Sequence, residues 1–191
     1  MPMNKVINKH PETEELVETI NQVITCLSKL SDEEKLSYYP LAFFGIFVKF
    51  QNIVHNQFEK YCIGEPSSAG YCPNRKHVFS DVSELRSFLK TRSEYIDYDD
   101  RIGELADYIF DDNPFSNLFS IEPLGYLMLK HIRNHVGHES NSSYQKLLSA
   151  RIIREDQTIS EYFAMRSKRN KVHFDELINS IYEYSNYIIE G

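Results

Sequence analysis

Phe43, Phe44, Phe47, Phe50, Val54, Phe58 and Tyr61 recur at steps of mostly three and four residues, a spacing that belongs to a helix and not to a strand. The pattern predicts a long helix from Leu41 to Tyr61, with Pro40 in its first turn, where a missing N–H costs nothing. Its apolar face is broad enough to pack on two sides. A second stripe, Leu16, Val17, Ile20, Val23, Ile24, Leu27 and Leu30, predicts an amphipathic helix ahead of it. Between them Ser31-Asp32-Glu33-Glu34 reads as a capping box that opens either a short turn or the next helix.

Further along, Gly64 to Lys76 carries Pro66, Gly70 and Pro73 and reads as a loop. Ser80 or Asp81 can cap a helix bearing Val82, Leu85, Phe88 and Leu89. Asp99 to Phe110 predicts a short helix with Ile102, Leu105, Ala106 and Ile109 on one side, broken by Asp111 to Pro114. Ser120 then caps a helix with Pro123 in its first turn, bearing Leu124, Leu127, Met128 and Ile132, with Gly137 as its stop. Glu139 to Ser143 reads as polar loop, and Tyr144 to Ile153 has no definite pattern. A last helix from Phe174 to Ile189 places Phe174, Leu177, Ile178, Ile181, Ser185 and Ile188 together. Strand signals are weak throughout, so the expected class is all-α. The 191 residues are read as a single domain spanning 1–191.

Charge limits the function. The chain carries −7, which argues against a surface that coats nucleic acid, though a local basic site remains compatible with an RNA substrate. Three cysteines, Cys26, Cys62 and Cys72, and a polar, acidic stretch from Met1 to Glu15 in place of a leader point to free thiols and a cytoplasmic protein. The longest apolar run, Leu41 to Val48, falls well short of the ~20 residues a membrane span requires.

Chemistry concentrates in Arg133-Asn134-His135-Val136-Gly137-His138. An arginine can grip a phosphate through its planar fork and stabilise charge developing there. A histidine can move a proton near neutral pH, and the amide can orient either partner. Five residues apart on an ideal helix, Arg133 and His138 lie ~140° apart, so they converge only if the helix ends near Gly137 or two copies meet on a two-fold axis.

This run resembles the Arg-x4–6-His signature of HEPN domains, with a polar residue directly after the arginine. The order of elements is similar too: long amphipathic helices, a variable insertion, the motif on a late helix, then a closing helix. The resemblance implies an all-α bundle of four to five core helices, with residues 64–112 as an inserted region. It also implies a metal-independent endoribonuclease, without cofactor, that cuts by 2′-hydroxyl attack at a homodimer interface in a toxin–antitoxin or defence setting, with an antitoxin protein as a possible partner. Arg133 and His138 would be catalytic and Asn134 supporting. His135, inside the spacer, is a substrate-side group or simply a solvent-facing one. Tyr144 resembles, by position only, a tyrosine modified in some such toxins.

Several alternatives stand beside that reading. The same fold could serve as a non-catalytic module that binds nucleotides or a protein, or Arg133 and His138 could brace a dimer. The basic run with Arg166, Lys168, Arg169 and Lys171 is a candidate RNA-backbone contact or a solvated entry to the last helix. Cys62, Cys72, His77 and His55 lack the close pairing of structural zinc sites, so no metal is expected.

Overall fold

A computed structural model describes residues 4–92, 102–120, 125–168 and 170–191. Among them the protein is all-α. The helices are α1 (Glu14–Leu27), α2 (Asp32–Ile63), α3 (Val82–Arg92), α4 (Ile102–Ile109), α5 (Pro114–Ser120), α6 (Tyr126–His138), α7 (Asn141–Ser149), α8 (Ile159–Ala164) and α9 (His173–Glu190). Only two isolated bridges, Arg75 with Phe110 and Arg166 with Val172, have β character among the described residues. No helix there is long and apolar enough to cross a membrane.

The molecule is built around α2. This helix begins nine residues before the predicted start because the Ser31–Glu34 capping box is complete. Ser31 Oγ accepts the Glu34 N–H at 3.3 Å, and the Glu34 carboxylate accepts the Ser31 N–H at 2.7 Å. Pro40 therefore sits inside the helix, not in its first turn, and forfeits one backbone bond. At the other end Gly64, at φ 84°, closes α2 in the left-handed region, with Arg75 pressed where a Cβ would stand.

The aromatic stripe explains why so many elements gather here. Phe43 lies 5.2 Å from Phe163 of α8, Phe47 5.8 Å from Tyr126 of α6, and Phe58 5.6 Å from Phe115 of α5, measured between ring centroids. All six of these rings are fully buried. The final helix α9 buries Phe174, Leu177, Ile178, Ile181, Ser185 and Ile188, as its periodicity predicts. Its C-terminal end is held by donors from the α2 region, Tyr61 Oη to the Ile188 carbonyl at 2.7 Å and Ser67 Oγ to that of Ile189 at 2.6 Å. Burial pushes the Tyr61 phenol up to about 12.

Several boundaries differ from the sequence reading. Leu30 lies past the end of α1. Ser120 closes α5 instead of capping the next helix, and Gly125 is the N-cap of α6. Pro123 and Leu124 lie outside the described residues, as do Asp99, Asp100, Tyr95 and Tyr98. The segment from Asn141 that reads as loop and then as indefinite forms α7, capped by Ser140 Oγ accepting the Ser143 N–H at 3.2 Å. Helix α8, six residues long, is too short to show a stripe, and its Thr158–Glu161 capping box carries the only local signal. Within 64–112, α3 and α4 pack against α2, and Phe110 meets Phe58 edge-on at 6.1 Å.

Candidate active site

Helix α6 lies against α2 and turns sharply into α7. Its buried residues are few, Tyr126, Leu129 and Ile132. The predicted stop at Gly137 does not occur: α6 continues through His138, and Glu139, at φ 44°, provides the left-handed cap. Gly137 instead serves packing, because a Cβ there would lie 3.0 Å from the Phe44 ring.

Arg133, one turn before Gly137, shares that face. Its Cζ sits 5.4 Å from the centroid of Phe44, within cation–π range. Its Nη1 donates to Asn134 Oδ1 at 2.9 Å. The Nε is buried with no hydrogen-bond partner among the described residues. Asn134 thus holds the arginine and not a histidine. Phe44, which sequence reasoning assigned to the core stripe, is only half-buried. The signal for its separate role was its adjacency to Phe43, since neighbouring helical residues point ~100° apart.

His135 lies on the opposite side of α6 and packs on α7. Its Nδ1 is 3.0 Å from Ser143 Oγ. The Ser143 hydroxyl donates to the Ser140 carbonyl at 2.8 Å and accepts from Ser140 Oγ at 3.1 Å. With that hydroxyl proton committed, His135 Nδ1 is the donor to Ser143 and Nε2 is left as the acceptor of the neutral ring. Tyr144 stacks at 6.0 Å, tilted by 48°. Burial lowers the pKa of His135, partly opposed by the Glu139 carboxylate. The solvent-facing role is therefore corrected: this histidine is half-buried and fastens the α6–α7 corner.

His138, the last residue of α6, is exposed. Because α6 stays helical through this position, Arg133 and His138 keep their ~140° separation and do not converge within one chain. Nor are they a mutually bonded, buried brace. By helical register His138 falls with His131 and His135, all within about 60°.

The basic run lies elsewhere. Arg166 donates through Nη1 to the Asn170 carbonyl at 3.0 Å and borders a groove of about 770 Å³ lined from α1, α2, α8 and α9 and the residues flanking them, with no lining residue from α6. Lys168 and Lys171 are exposed, and Arg169 lies outside the described residues. His173, two residues past Lys171, starts α9 and packs on the Tyr162 ring at 4.8 Å.

The remaining metal-capable residues are in packing roles. Cys62 is fully buried and burial pushes its thiol strongly up, Cys72 is shifted the same way, and His77 stacks on Tyr108 at 4.4 Å. Among the described residues no three His, Cys, Asp or Glu side chains are grouped to hold a metal ion. No family model, curated protein or solved structure matches this chain.

Proposed function

We propose that the protein is a HEPN-like endoribonuclease whose site is completed when two copies meet at the ends of their α6 helices. One observation carries the reading: a pre-oriented guanidinium, held by Phe44 and Asn134, stands five residues from an exposed histidine that ends the same helix. In a two-fold pair, Arg133 from each copy grips the scissile phosphate and His138 from each handles a proton. One imidazole removes the proton of the ribose 2′-hydroxyl as its oxygen forms a bond to phosphorus. The bond from phosphorus to the 5′-oxygen breaks, and the second imidazolium protonates that leaving oxygen. The products are a 2′,3′-cyclic phosphate and a 5′-hydroxyl. Residues 133 to 138 supply every group these steps use. A cognate protein that blocks the paired α6 ends would act as an antitoxin.

The test is cleavage of a single-stranded RNA by the purified protein in excess chelator. Arg133→Ala and His138→Ala are expected to lower the rate by roughly 10²–10⁴-fold with an unchanged circular dichroism spectrum. Full activity in either variant removes that residue from its role.

A second reading, a non-catalytic HEPN-like binding module for nucleotides or a partner protein, is favoured by the divergence of Arg133 and His138 within one protomer. Sedimentation separates the two: a protein that remains monomeric at tens of micromolar, and cleaves nothing, is the module.

A further inference from the structure

Charge is distributed unevenly along this chain. Residues 126–154, which contain α6 and α7, hold Lys130, Arg133, Lys146, Arg151 and Arg154 against Glu139 alone, and three of the seven histidines. That unit carries +4 within a chain of −7, so the rest of the molecule carries −11. The stretch that bears the motif is thus basic, matching the +4 of the run 166–171 but spread more thinly, with Arg151 and Arg154 lying past the end of α7.

The same unit has a cleft. Between α6 and α7 runs an open groove of about 510 Å³, lined by His131, Ser142, Gln145, Lys146, Ser149 and Ala150. Its donors are a lysine, an amide and the Ser142 hydroxyl, with the Ser149 oxygen as an acceptor, a histidine at the α6 side and no carboxylate. It is shallow and open, with a cation and no carboxylate on its lining, which suits an extended polyanion and not a compact apolar ligand. The His135–Ser143–Ser140 hydrogen bonds hold the corner between the two helices, so the groove walls are fixed relative to His138. His131 and His138 share one face of α6, about 10 Å apart along its axis.

We infer that this α6–α7 groove is the binding track for the sugar–phosphate backbone of single-stranded RNA, leading it to His138. The inference rests on the nuclease reading for its destination, and on the groove's chemistry for the ligand. Lys146 neutralises a phosphate, Ser142 and Gln145 donate to phosphate oxygens or ribose hydroxyls, and Ser149 Oγ, whose proton goes to the Gln145 carbonyl at 2.8 Å, accepts from a ribose hydroxyl.

The experiment measures anisotropy of a fluorescent 2′-O-methyl RNA 12-mer, which cannot be cleaved by 2′-oxygen attack, over a series of salt concentrations. Lys146→Glu/Ser149→Glu, both exposed, is expected to weaken binding by about tenfold or more and to reduce the salt slope by ~0.7 for the lost phosphate contact. Lys146→Gln, which leaves a neutral side chain, is expected to give the same slope change with a smaller loss. Lys5→Glu/Lys29→Glu, an equal or larger charge change at exposed sites outside the hairpin, should leave affinity within about twofold, because distant charges are screened.

Wild-type affinity in the groove variant overturns the inference, as does a larger loss in Lys168→Glu/Lys171→Glu, which moves the strand to the basic loop. Polyglutamate binding as tightly as RNA overturns it in favour of an acidic protein. If the wild type cleaves RNA but the groove variant binds normally, the track alone is wrong. If the groove variant loses binding while the wild type cleaves nothing, the nuclease reading falls and the groove stands.

Discussion

Helices α2 and α6 touch along one seam and use their side chains in opposite ways. In α2, twelve of 32 residues are buried, most of them aromatic or aliphatic, and α1, α3, α4, α6, α8 and α9 all pack against the helix. In α6, three of 13 are buried, and the rest of the helix is arginine, asparagine, histidines and other partly exposed groups. One helix spends its composition on cohesion. The other accepts weak packing and keeps polar groups that cohesion does not need. Phe44 is where the two meet, an α2 residue whose ring supports the α6 arginine.

The sharpest way to break this contrast is paired truncation. Phe47→Ala, at a fully buried ring between Phe43, Phe50 and Tyr126, is expected to cost about 3–5 kcal/mol in denaturant unfolding. His138→Ala should move stability by no more than about 0.5 kcal/mol, because its side chain is exposed, while lowering RNA cleavage as proposed above. If His138→Ala unfolds the protein, the division of labour between the helices is wrong.

The seam itself provides the next effect. A β-branched side chain at position 137 meets the Phe44 ring, since even a Cβ stands 3.0 Å from it. Gly137→Val is expected to cost about 1–3 kcal/mol by overpacking and to displace the ring beneath Arg133. Cleavage should then fall more than stability alone accounts for, with Arg133 still present. Phe44→Leu sharpens the point: it keeps an apolar contact, loses the cation–π face, and should lower activity with little change in the melting temperature.

Smaller again are the caps. Ser31→Ala removes the hydroxyl that opens α2, and Thr158→Ala does the same for α8, each expected to cost about 1 kcal/mol. An equal loss at both would show that a 32-residue helix and a six-residue helix depend alike on their first turn.

These comparisons also explain what could be read in advance. Apart from Phe44, and with Ile24 and Leu27 only partly buried, the stripes at Leu16–Leu27, Phe43–Tyr61 and Phe174–Ile188 name core residues correctly, because burial of one helical face imposes a period of 3.6 on composition. Helix ends are less legible. Pro40 drew the predicted start of α2 towards itself, although the capping box at Ser31 was in view, because an interior proline ordinarily costs ~3 kcal/mol, a cost that the packing of this long helix offsets. Helix α7, with only Ser143 and Leu147 buried, leaves almost no stripe to find. At the candidate site the residue types could be named, but their directions could not. Arg133 and His138 needed the fate of Gly137, and Gly137 is decided by the Phe44 ring from a helix some ninety residues earlier.

The α6–α7 corner offers the last and smallest test, through pH. Burial depresses the His135 pKa relative to its ordinary value near 6.5, with the Glu139 carboxylate only partly offsetting it. The unfolded chain therefore binds a proton more readily than the folded one at this position. By linkage, the neutral His135 contributes its full share of stability above the unfolded value, and that share is lost as pH falls through the lower, folded value. Protonation also makes Nε2 a donor in a half-buried site whose hydroxyl partner is already engaged at Nδ1. Half-buried Asp175, whose pKa desolvation raises, acts in the opposite direction, gaining stability as pH falls, so the wild-type curve alone does not isolate the histidine. His135→Gln does, because Asp175 is common to both proteins. Melting temperatures followed from pH 7.5 down to pH 5 should fall further for wild type than for the variant. Parallel curves would mean that His135 titrates as freely as an exposed ring, and that the corner holding the groove to His138 is looser than its hydrogen bonds indicate.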